Sequence, residues 1–402
     1  MSKWITRTLG EVTSYIAKGI PPKYVEEEAK STIRVLNQKC NRDFRISYAD
    51  SRIHDNSVKK AAEIKMVRPG DVLINSTGTG TAGRVAQIWN VPTPTTIDGH
   101  MILMRPSDEV DPLYYGYAVK AYQPTIESFA EGSTGQTEIN KTRLQNEILV
   151  NFPVDKKEQY AIGRMLADLD DKIEENEKIN KNLEQQIQEL YKEWFITNRE
   201  ANWQRIPLSD IIFFQEGPGI RNWQYVEDGV KFINIRCINN GLIDTSTANK
   251  ISLEEASGKY SHFMLEPYDI VMSCSGTLGR YAIVLPQNLP LCLNTSVIRF
   301  RPKQYKDDYS FVYGYMTSKE FLNQQITMAN GSAQVNFGPT HLKKIEIVEP
   351  PVEIRKEFND LVFPLIETQI SLRAENTRLV EIRDTLLPRL ISGEIDVSNL
   401  DI

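Results

Sequence analysis

Cysteines and long apolar runs are both scarce in this chain. Its 402 residues contain four cysteines, none of them in a C-x-x-C pair, at positions Cys40, Cys237, Cys274 and Cys292. Sparse, unpaired cysteines predict free thiols in a reducing cytoplasm. No apolar run reaches the roughly 18–20 residues that a membrane span needs, and the opening MSKWITRTLGEV lacks the apolar core of a signal peptide. We therefore expect a cytoplasmic protein that has no membrane partner.

The sequence also lacks the motifs of common catalytic sites. It contains no G-x-x-x-x-G-K-[ST] phosphate loop, no H-E-x-x-H zinc motif and no N-P-P-aromatic signature of amino-methyltransferases. Asp55 with Glu63-x-Lys65 resembles a nuclease pattern that is common by chance. The four histidines are scattered without ligand spacing, at positions His54, His100, His262 and His341. We therefore predict no catalytic residue and no metal site.

What the sequence does contain is one pattern that occurs twice. WITRTLGEV at 4–12 returns as WQRIPLSDI at 203–211, and GTAGR at 80–84 returns as GTLGR at 276–280. Arg105-Pro106 recurs as Arg301-Pro302. The offsets between these blocks stay within 196–199 residues. A register this constant predicts a unit of about 200 residues that has been duplicated.

Each copy ends in a segment with the periodicity of a long helix, heptads in which apolar residues alternate steps of three and four. In the first copy the predicted seam is Ile162, Leu166, Leu169, Ile173, Asn176, Asn180, Leu183, Ile187, Leu190 and Trp194. In the second copy it is Ile354, Phe358, Leu361, Leu365, Thr368, Leu372, Glu375, Leu379, Ile382 and Leu386. Pro364 should kink or interrupt the second helix, and Leu387-Pro388 should end it before Gly393.

Two long helices in one chain bury their seams most simply by pairing with each other. With pseudo-two-fold symmetry the pairing would be an antiparallel coiled coil with a globular domain at each end. Asn176 and Asn180 then either fix the register or contact a partner helix. Tyr191, Trp194 and Phe195 extend beyond what a two-stranded pairing hides. They point to an additional protein partner on the helices.

The larger segments carry short β-type runs between Gly, Pro and Asn residues, with short helices expected near 112–122 and 308–325. The predicted fold class is α+β, a duplicated mixed α/β globular domain followed by a long helix. The predicted boundaries are 1–152, 153–200, 201–350 and 351–402. The GTxGR blocks are predicted to be tight turns in which glycine supplies a positive φ.

The formal net charge of −6 is unevenly distributed. Residues 153–200 carry 8 basic and 12 acidic side chains and residues 350–402 carry 6 and 10, whereas 1–152 carry 19 and 17 and 201–349 carry 14 and 14. The globular segments are thus neutral to slightly basic. That permits a basic face towards nucleic acid and equally fits ordinary solvated surface.

Taken together, these motifs resemble the specificity (S) subunit of type I restriction–modification systems. The resemblance rests on the Trp-x4-Leu opening of each copy, the D[VI]…GTxGR turn and the Gly-Ser…Gln block at 132–136 and 331–334. LYKEWF at 190–195 and LLPRLISGEI at 386–395 are similar to the two spacer helices of that family. The resemblance extends from Trp4 to about Val397.

The resemblance implies that each globular segment is a target recognition domain, which reads one half of a bipartite double-stranded DNA target. The coiled coil would set the unread gap and dock two methyltransferase (M) subunits, and two motor-nuclease (R) subunits would join the complex for phage defence. The chain itself would be non-catalytic and bind no cofactor. S-adenosylmethionine, ATP and Mg would belong to the partner subunits.

Candidate contact residues come from the repeated loops and from the β-rich stretches between them. The DNA-binding candidates are Arg34, Asn37, Arg42, Arg84, Ser133, Thr134, Gln136, Arg236, Asn239, Arg280, Ser332 and Gln334. The partner-binding candidates are Tyr191, Trp194, Phe195, Leu387 and Leu390. Arg84 and Arg280 could brace their turns, hold phosphate or contact a base. Two domains that read different sequences should differ in the residues that contact the bases. Those residues are therefore expected where the copies differ, such as 18–30 against 217–224 or 47–60 against 245–259.

Two other interpretations stay open at this point. The chain could be a duplicated scaffold that binds protein or glycan and has no nucleic-acid function. It could also be the recognition half of a fused nuclease–methylase, although that would require a catalytic domain which these residues do not contain. Steep loss of duplex affinity with rising salt would separate a DNA reader from a scaffold.

Overall fold

The computed structural model describes residues 3–131, 137–239, 241–329 and 337–397. The chain divides into two compact units: unit 1 comprises Met1–Lys172 and Leu379–Ile402, and unit 2 comprises Ile173–Arg378. Each unit contains one globular head and a segment of each of two long helices. We call residues 3–153 the N-terminal head and residues 204–349 the C-terminal head.

The first half of the chain is built from short strands followed by helices. Its strands are β1 (Trp4–Thr8), β2 (Thr13–Lys18), β3 (Tyr24–Val25), β4 (Thr32–Leu36), β5 (Asn41–Arg42), β6 (Arg45–Ile46), β7 (Arg52–Asp55), β8 (Val72–Asn75), β9 (Val85–Gln87), β10 (Thr95–Ile97), β11 (Met101–Pro106), β12 (Ala130–Glu131), β13 (Glu138–Ile139) and β14 (Leu149–Pro153). Its helices are α1 (Pro112–Ala121), α2 (Gln123–Ser128), α3 (Lys141–Asn146) and α4 (Lys156–Lys192), with 3-10 turns at Gln38–Cys40 and Glu63–Lys65.

Two four-stranded sheets form the frame of the N-terminal head. The antiparallel sheet has the order β2-β11-β8-β9, and the mixed sheet has the order β10-β4-β7-β3, in which β10 and β4 are parallel. Strand β8 is buried along its whole length, as its apolar Val-Leu-Ile run predicts. Helix α1 begins where the Asp111 carboxylate accepts hydrogen bonds from the Leu113 and Tyr114 amides. Strands β1 and β14 pair and join the two ends of the head.

The second half of the chain follows a similar order, with two further short helices and, among the described residues, no counterpart of the β12–β13 pair. Its strands are β15 (Gln204–Pro207), β16 (Ile212–Glu216), β17 (Tyr225–Val226), β18 (Val230–Ile233), β19 (Ile238–Asn239), β20 (Leu242–Ile243), β21 (Asn249–Ile251), β22 (Ile270–Ser273), β23 (Tyr281–Ile283), β24 (Leu291–Leu293), β25 (Val297–Pro302) and β26 (Glu346–Glu349). Its helices are α5 (Leu208–Ile211), α6 (Leu253–Ser257), α7 (Tyr305–Met316), α8 (Lys319–Ala329), α9 (Pro339–Leu342) and α10 (Val352–Ile391), with 3-10 turns at Asn222–Gln224, Ile235–Cys237, Ser261–Phe263 and Pro286–Asn288.

The sheets of the C-terminal head have the same topology as those of the N-terminal head. The orders are β16-β25-β22-β23 and β24-β18-β21-β17, and β18 and β24 are again the parallel pair. The predicted duplication and the predicted α+β class are therefore confirmed. The helix expected near 308–325 is two helices, since the chain turns at Thr317 and the Ser318 hydroxyl accepts from the Phe321 amide to start α8.

The two long helices form as predicted, although neither Pro364 nor Pro388 interrupts the second one. Helix α4 spans 37 residues and continues into a π turn at Glu193–Thr197, and α10 spans 40 residues. The expectation that Pro364 interrupts α10 is wrong. Pro364 and Asp360, whose carbonyl loses its helical partner, both lie on the exposed face. Water can hydrate that carbonyl, so the helix continues.

Helix α10 ends a few residues later than predicted. It passes through Pro388, which is also exposed, and stops at Ile391. Gly393 has φ +78°. Its amide donates to the Leu390 carbonyl at 3.2 Å, and the Glu394 amide donates to the Arg389 carbonyl at 3.0 Å. These two bonds are a Schellman motif, so Gly393 is the stop that the sequence predicts.

The long helices run antiparallel within unit 2. Phe195, after the end of α4, packs on Phe358 near the start of α10 with ring centroids 4.7 Å apart. Asn176, earlier in α4, donates to Asn376, later in α10. In unit 1, Asp170 of α4 pairs with Arg383 of α10 at 2.7 Å. The predicted antiparallel pairing is confirmed.

The seam predicted for α4 is correct, and the one predicted for α10 is partly wrong. None of the predicted seam residues of α4 is exposed. In α10, however, Leu361 and Ile382 are 48% and 47% exposed, and Thr368 and Glu375 are exposed too. The buried stripe of α10 in unit 2 runs instead through Phe358, Val362, Ile366, Gln369, Arg373 and Asn376. Half of that stripe is polar, which is why apolar periodicity misplaced it.

Each head has its own apolar core beneath its helices. The core of the N-terminal head includes Tyr114, Tyr115 and Phe152, and that of the C-terminal head includes Tyr313, Phe311 and Phe300. All four cysteines are buried and unpaired. None of the helices in the described part of the chain combines the length and the apolar composition that crossing a membrane requires.

Candidate nucleic-acid interface

The repeated GTxGR block is a tight turn between two strands of each head. It connects β8 to β9 in the first head and β22 to β23 in the second. Gly80 and Gly83 have φ +70° and +87°, and Gly276 and Gly279 have φ +68° and +79°. The prediction that glycine supplies a positive φ here is confirmed. The turn places the following arginine at the same point of both heads.

The two arginines that follow this turn have different surroundings. Arg84 is half-buried, and its guanidinium donates to the Gly80 carbonyl of its own turn at 3.2 Å. Arg280 is exposed, and its side chain makes no hydrogen bond or ion pair with the residues that the structure describes. Arg84 therefore braces its turn, whereas Arg280 is available to a ligand.

Asn37 caps a 3-10 turn that both heads contain. Its side chain accepts from the Lys39 amide at 2.9 Å and donates to the Asp50 carbonyl at 2.7 Å. Asn234 makes the same cap in the other head, where its side chain accepts from the Arg236 amide at 2.9 Å. Asn234 is thus the counterpart of Asn37. Its cap leaves Arg236 exposed at the middle of the turn.

The other described candidates lie near these turns. Arg42 is exposed on β5, the strand that directly follows the Asn37 turn. Asn239 occupies the matching place on β19. Arg34, on β4, is half-buried and forms an ion pair with Glu28. Ser133, Thr134, Gln136, Ser332 and Gln334 lie outside the residues that the structure describes.

A cavity opens beside the described flanks of the first Gly-Ser…Gln block. It has a volume of about 490 Å³, and three lysines, Lys18, Lys65 and Lys141, contribute to its wall. Lys65 donates to the carbonyls of Lys18 and Gly19 at 3.0 and 3.1 Å. Lys18 forms an ion pair with Glu138 on β13. Glu131 and Glu138 also line the cavity, so carboxylates of the same head partly neutralise the charge of the lysines.

The repeated Arg-Pro pair holds the framework of each head. Arg105 binds both carboxylate oxygens of Asp71 at 2.8 Å. Arg301 binds those of Asp269 at 2.6 and 2.8 Å. Both aspartates are about 1% exposed. A bidentate buried pair of this kind is structural, so these repeated residues are scaffold.

The partner-binding candidates are mostly covered by their own unit. Tyr191 and Phe195 are 4% and 6% exposed, and Phe195 packs edge-on against Phe311 of α7 at 4.8 Å. Trp194 is half-buried. In unit 1, Leu387 and Leu390 belong to the core of the N-terminal head. The expectation that these rings need an additional protein to hide them is therefore corrected, because α7 and Phe358 already cover them.

A buried acid shapes the turn between β10 and β11. Asp98 is 5% exposed, and its carboxylate accepts from the His100 amide at 2.9 Å. Burial raises the pKa of Asp98 and also that of Tyr24 beside it. Arg52 stacks on the Tyr24 ring at 3.4 Å. The C-terminal head has Asn294 at the equivalent turn, where its side chain accepts from the Ser296 amide at 3.0 Å.

An exposed tryptophan is the feature that the candidate residues missed. Trp223 is 80% exposed on the 3-10 turn Asn222–Gln224. It lies inside 217–224, one of the segments singled out because the two copies differ there. Composition and repeats could indicate the segment, but they could not show which side chains point outward. Within the described residues no cluster of His, Cys, Asp and Glu could hold a metal ion.

The comparisons with known proteins agree with this doubled architecture. The family model described as "Type I restriction modification DNA specificity domain" matches residues 1–185 and again residues 200–382. The chain belongs to this family. The two matches contain the two heads, each with most of the long helix that follows it.

Several individual relatives are similar over most of their length. The HindI specificity subunit of a type I restriction enzyme from Haemophilus influenzae is 24% identical, over 98% of this chain and 100% of the relative. The MjaIX specificity subunit from Methanocaldococcus jannaschii is 25% identical, over 88% and 84%. The crystal structure of a type I S subunit from M. genitalium has a TM-score of 0.57 at 18% identity, over 99% and 97%. That structural likeness concerns the fold.

Proposed function

We propose that this chain is the subunit that gives a type I restriction–modification complex its DNA sequence specificity. Each head would read one half of a split duplex target. The observation that carries the proposal is the double family match on two heads that share one framework. Both heads keep the same turns and the same buried Asp–Arg pair, while their exposed loops differ. A reader of two different half-sites needs that combination.

The long helices are proposed to set the gap between the half-sites and to dock the methyltransferase subunits. The support is that each unit ties the helices together by specific polar contacts, such as Asp170 with Arg383 and Asn176 with Asn376. Such contacts define one register. The stoichiometry of two M and two R subunits is part of the proposal, as is action in the cytoplasm.

The chain is further proposed to be non-catalytic and to bind neither S-adenosylmethionine nor ATP. Specificity subunits of this family are generally non-catalytic. The four cysteines are buried, and burial raises the pKa of Cys274 and of Cys292 to about 12, so neither thiol is a nucleophile at neutral pH. The cofactors, with Mg, would act on the partner subunits. No observation favours a scaffold that binds protein or glycan.

The salt dependence of duplex binding tests this function. The full chain, purified with its methyltransferase partner, is titrated with a duplex at several salt concentrations. A DNA reader loses affinity steeply, because each phosphate contact releases counterions. The partner without this chain is the control for its own DNA affinity. Affinity for duplex that is flat with salt, or equal with and without this chain, would contradict the proposal.

A further inference from the structure

Both heads contain a loop that starts and ends at equivalent residues. It starts at Gly19 in one head, whose amide donates to the Met101 carbonyl at 3.1 Å, and at Gly217 in the other, whose amide donates to the Val297 carbonyl at 3.4 Å. A Cβ on Gly19 would lie 2.1 Å from the Asp98 carbonyl oxygen. A Cβ on Gly217 would lie 2.5 Å from the carbonyl carbon of Leu293, at the matching turn of the second head. These close approaches fix where each loop begins.

Each loop ends at the equivalent edge strand of its own head. Tyr24 opens β3, which pairs with β7, and Tyr225 opens β17, which pairs with β21. Between these anchors the first head has four residues, Ile20-Pro21-Pro22-Lys23, and the second has seven, 218–224. The second head therefore carries three extra residues at a point where the framework is otherwise shared.

The extra residues form a turn that is held from inside the head. Gln224 is 8% exposed, and its side-chain oxygen accepts from the Arg221 amide at 2.9 Å. Its side-chain nitrogen donates to Glu255 at 2.7 Å and to the Tyr260 hydroxyl at 3.0 Å. Ile220 packs on the core cluster that contains Tyr260. A buried amide with three hydrogen bonds gives the turn one conformation.

This rigid turn presents its aromatic side chain to solvent. Trp223 is 80% exposed, whereas the polar Gln224 beside it is buried, which inverts the usual preference of the two residue types. Arg221 and Asn222, directly before Trp223, are exposed as well. The indole adds nothing to the core of the head. Because tryptophan is enriched at interfaces, an indole held outward on a rigid turn is available to stack on another molecule.

We propose that the segment 218–224 is the base-reading turn of the C-terminal head, with Trp223 stacking on a base step of the duplex. Arg221 and Asn222 would meet base edges beside it. The inference rests on the proposed function and names the residues that perform it. Arginine pairs with guanine and asparagine with adenine in the major groove. Aromatic and apolar side chains stack on or wedge between bases.

The comparison of the heads favours DNA over a protein partner. A subunit that docks on both heads in the same way needs the same residues in both. The two halves of a DNA target differ, so their readers must differ. The turn at Trp223 has no counterpart in the first head, where Pro21 and Pro22 occupy the loop. The two heads therefore differ at this loop, as they must if they bind two different half-sites.

The experiment uses the full chain, co-expressed with its methyltransferase partner in a host free of other methylation. Methylated motifs are mapped across the genome for wild type, Trp223→Ala, Trp223→Phe and Ile326→Ala. Ile326 on α8 is the matched control, because it is an apolar residue 44% exposed in the same head but lies outside the turn and outside 245–259. Duplex affinity is measured on the same purified complexes. A duplex with 2-aminopurine at each position of the half-site reports stacking by its fluorescence.

Trp223→Ala is expected to weaken binding of the target roughly ten- to a hundredfold and to relax the sequence preference in one half of the motif only. Trp223→Phe should retain most of the affinity, and Ile326→Ala should match wild type. The change in fluorescence that one 2-aminopurine position shows on binding should vanish in Trp223→Ala. Arg221→Ala, a second variant on the same turn, should relax preference at a guanine of that half.

Two results would overturn the inference while leaving the proposed function standing. One is a split motif and a duplex affinity that Trp223→Ala and Arg221→Ala leave unchanged. The other is loss of the methyltransferase subunit from Trp223→Ala with the motif intact, which would make the turn a protein interface. Absence of any split motif in the wild type would instead reject the proposed function, and the inference with it.

Discussion

The side-chain amide of Asn176 in α4 donates a hydrogen bond of 2.8 Å to the side-chain oxygen of Asn376 in α10. Asn376 in turn donates to the Ile173 carbonyl at 3.2 Å, and Gln369 donates to the Asn180 carbonyl at 3.0 Å. Polar side chains in a helical seam reduce stability and select one register. Asn176 and Asn180 were predicted either to fix the register or to contact a partner helix. Asn176, and the backbone of Asn180, are engaged by the facing helix of this chain.

Replacing Asn376 with alanine should destabilise unit 2. The Ile173 carbonyl would lose a side-chain donor, and the Asn176 amide would keep only Glu375, at 2.7 Å, which costs about 0.5–1.5 kcal/mol in the free energy of unfolding. Denaturant titration of the full chain measures the loss. Lys181→Ala, an exposed change on α4, is the control and should be nearly neutral. Equal stability of the two variants would show that the asparagine pair contributes nothing.

The double variant Asn176→Leu with Asn376→Leu separates stability from register. Replacing a buried polar pair with apolar residues is often neutral or stabilising, so its unfolding free energy should recover relative to Asn376→Ala. Its methylated motif should show more than one gap length, because the seam no longer selects a single register. A single unchanged gap in this variant would mean that other contacts set the register.

Arg383→Ala should be more harmful than the loss of an ordinary surface ion pair. Arg383 and Asp170 are 17% and 14% exposed, and Asp170 also accepts from the Tyr117 hydroxyl at 2.8 Å. Removing the arginine leaves a largely buried carboxylate without its cation, at a cost of about 2–4 kcal/mol in the free energy of unfolding. Thermal and denaturant unfolding measure it.

Arg164→Ala is the matched control for that prediction. Arg164 lies on α4, the helix that carries Asp170, and pairs with Asp171 at 3.2 Å, but its side chain is 38% exposed. Exposed pairs of this kind contribute about 0–1 kcal/mol. The account is contradicted if the two arginine variants lose the same stability.

The two glycines of the first repeated turn should differ in their tolerance of alanine. Both have a positive φ, which costs an alanine about 1–2 kcal/mol. A Cβ on Gly83 would also lie 2.7 Å from the Glu127 Cα, whereas a Cβ on Gly80 has no neighbour within 4 Å. Gly83→Ala should therefore lower the melting temperature clearly more than Gly80→Ala. Similar melting temperatures would mean that α2 moves aside without cost.

The buried thiols predict a loss of stability in alkaline solution. Burial raises the pKa of Cys274 and of Cys292 to about 12 in the folded protein, from an ordinary value of 9.0. Below pH 9 these thiols are protonated in both states, so their contribution is fully present. As the pH rises towards 12 the unfolded chain ionises first, and each thiol lowers the free energy of unfolding by about 1.4 kcal/mol per pH unit.

Unfolding curves at several pH values between 9 and 12 test this for wild type and for Cys274→Ala with Cys292→Ala. The double variant should show a shallower decline, whatever its absolute stability. At neutral pH the native wild type should react with a thiol reagent only after unfolding. Parallel pH profiles of the two proteins would show that these thiols do not contribute.

Much of the scaffold could be predicted from the sequence because it is repeated. The offset between the copies located both GTxGR turns, and the structure gives Gly83 and Gly279 the positive φ that such turns need. The Arg-Pro repeat at 105 and 301 coincides with a buried arginine–aspartate pair in each head. Repetition marks residues that both heads require for folding. The repeats therefore located the framework residues better than the residues proposed to contact DNA.

What the sequence could not show depends on burial, which periodicity only approximates. The predicted seam of α10 included Leu361 and Ile382, which are exposed. It omitted Gln369 and Arg373, which are buried although their side chains are polar. The rings of Tyr191 and Phe195 suggested an open surface, yet Phe311 of another helix covers them. Trp223, by contrast, reads like a core residue and is exposed because Gln224 takes the interior position.

The methylated motif of cells that carry this chain and its methyltransferase tests the central claim most directly. If two heads read two half-sites, genome-wide mapping should show adenine methylation in a split motif, two short halves around a gap of fixed length. Exchange of 218–224 for the four residues 20–23 should change one half and leave the other. A continuous motif, or no methylation that depends on this chain, would contradict the account.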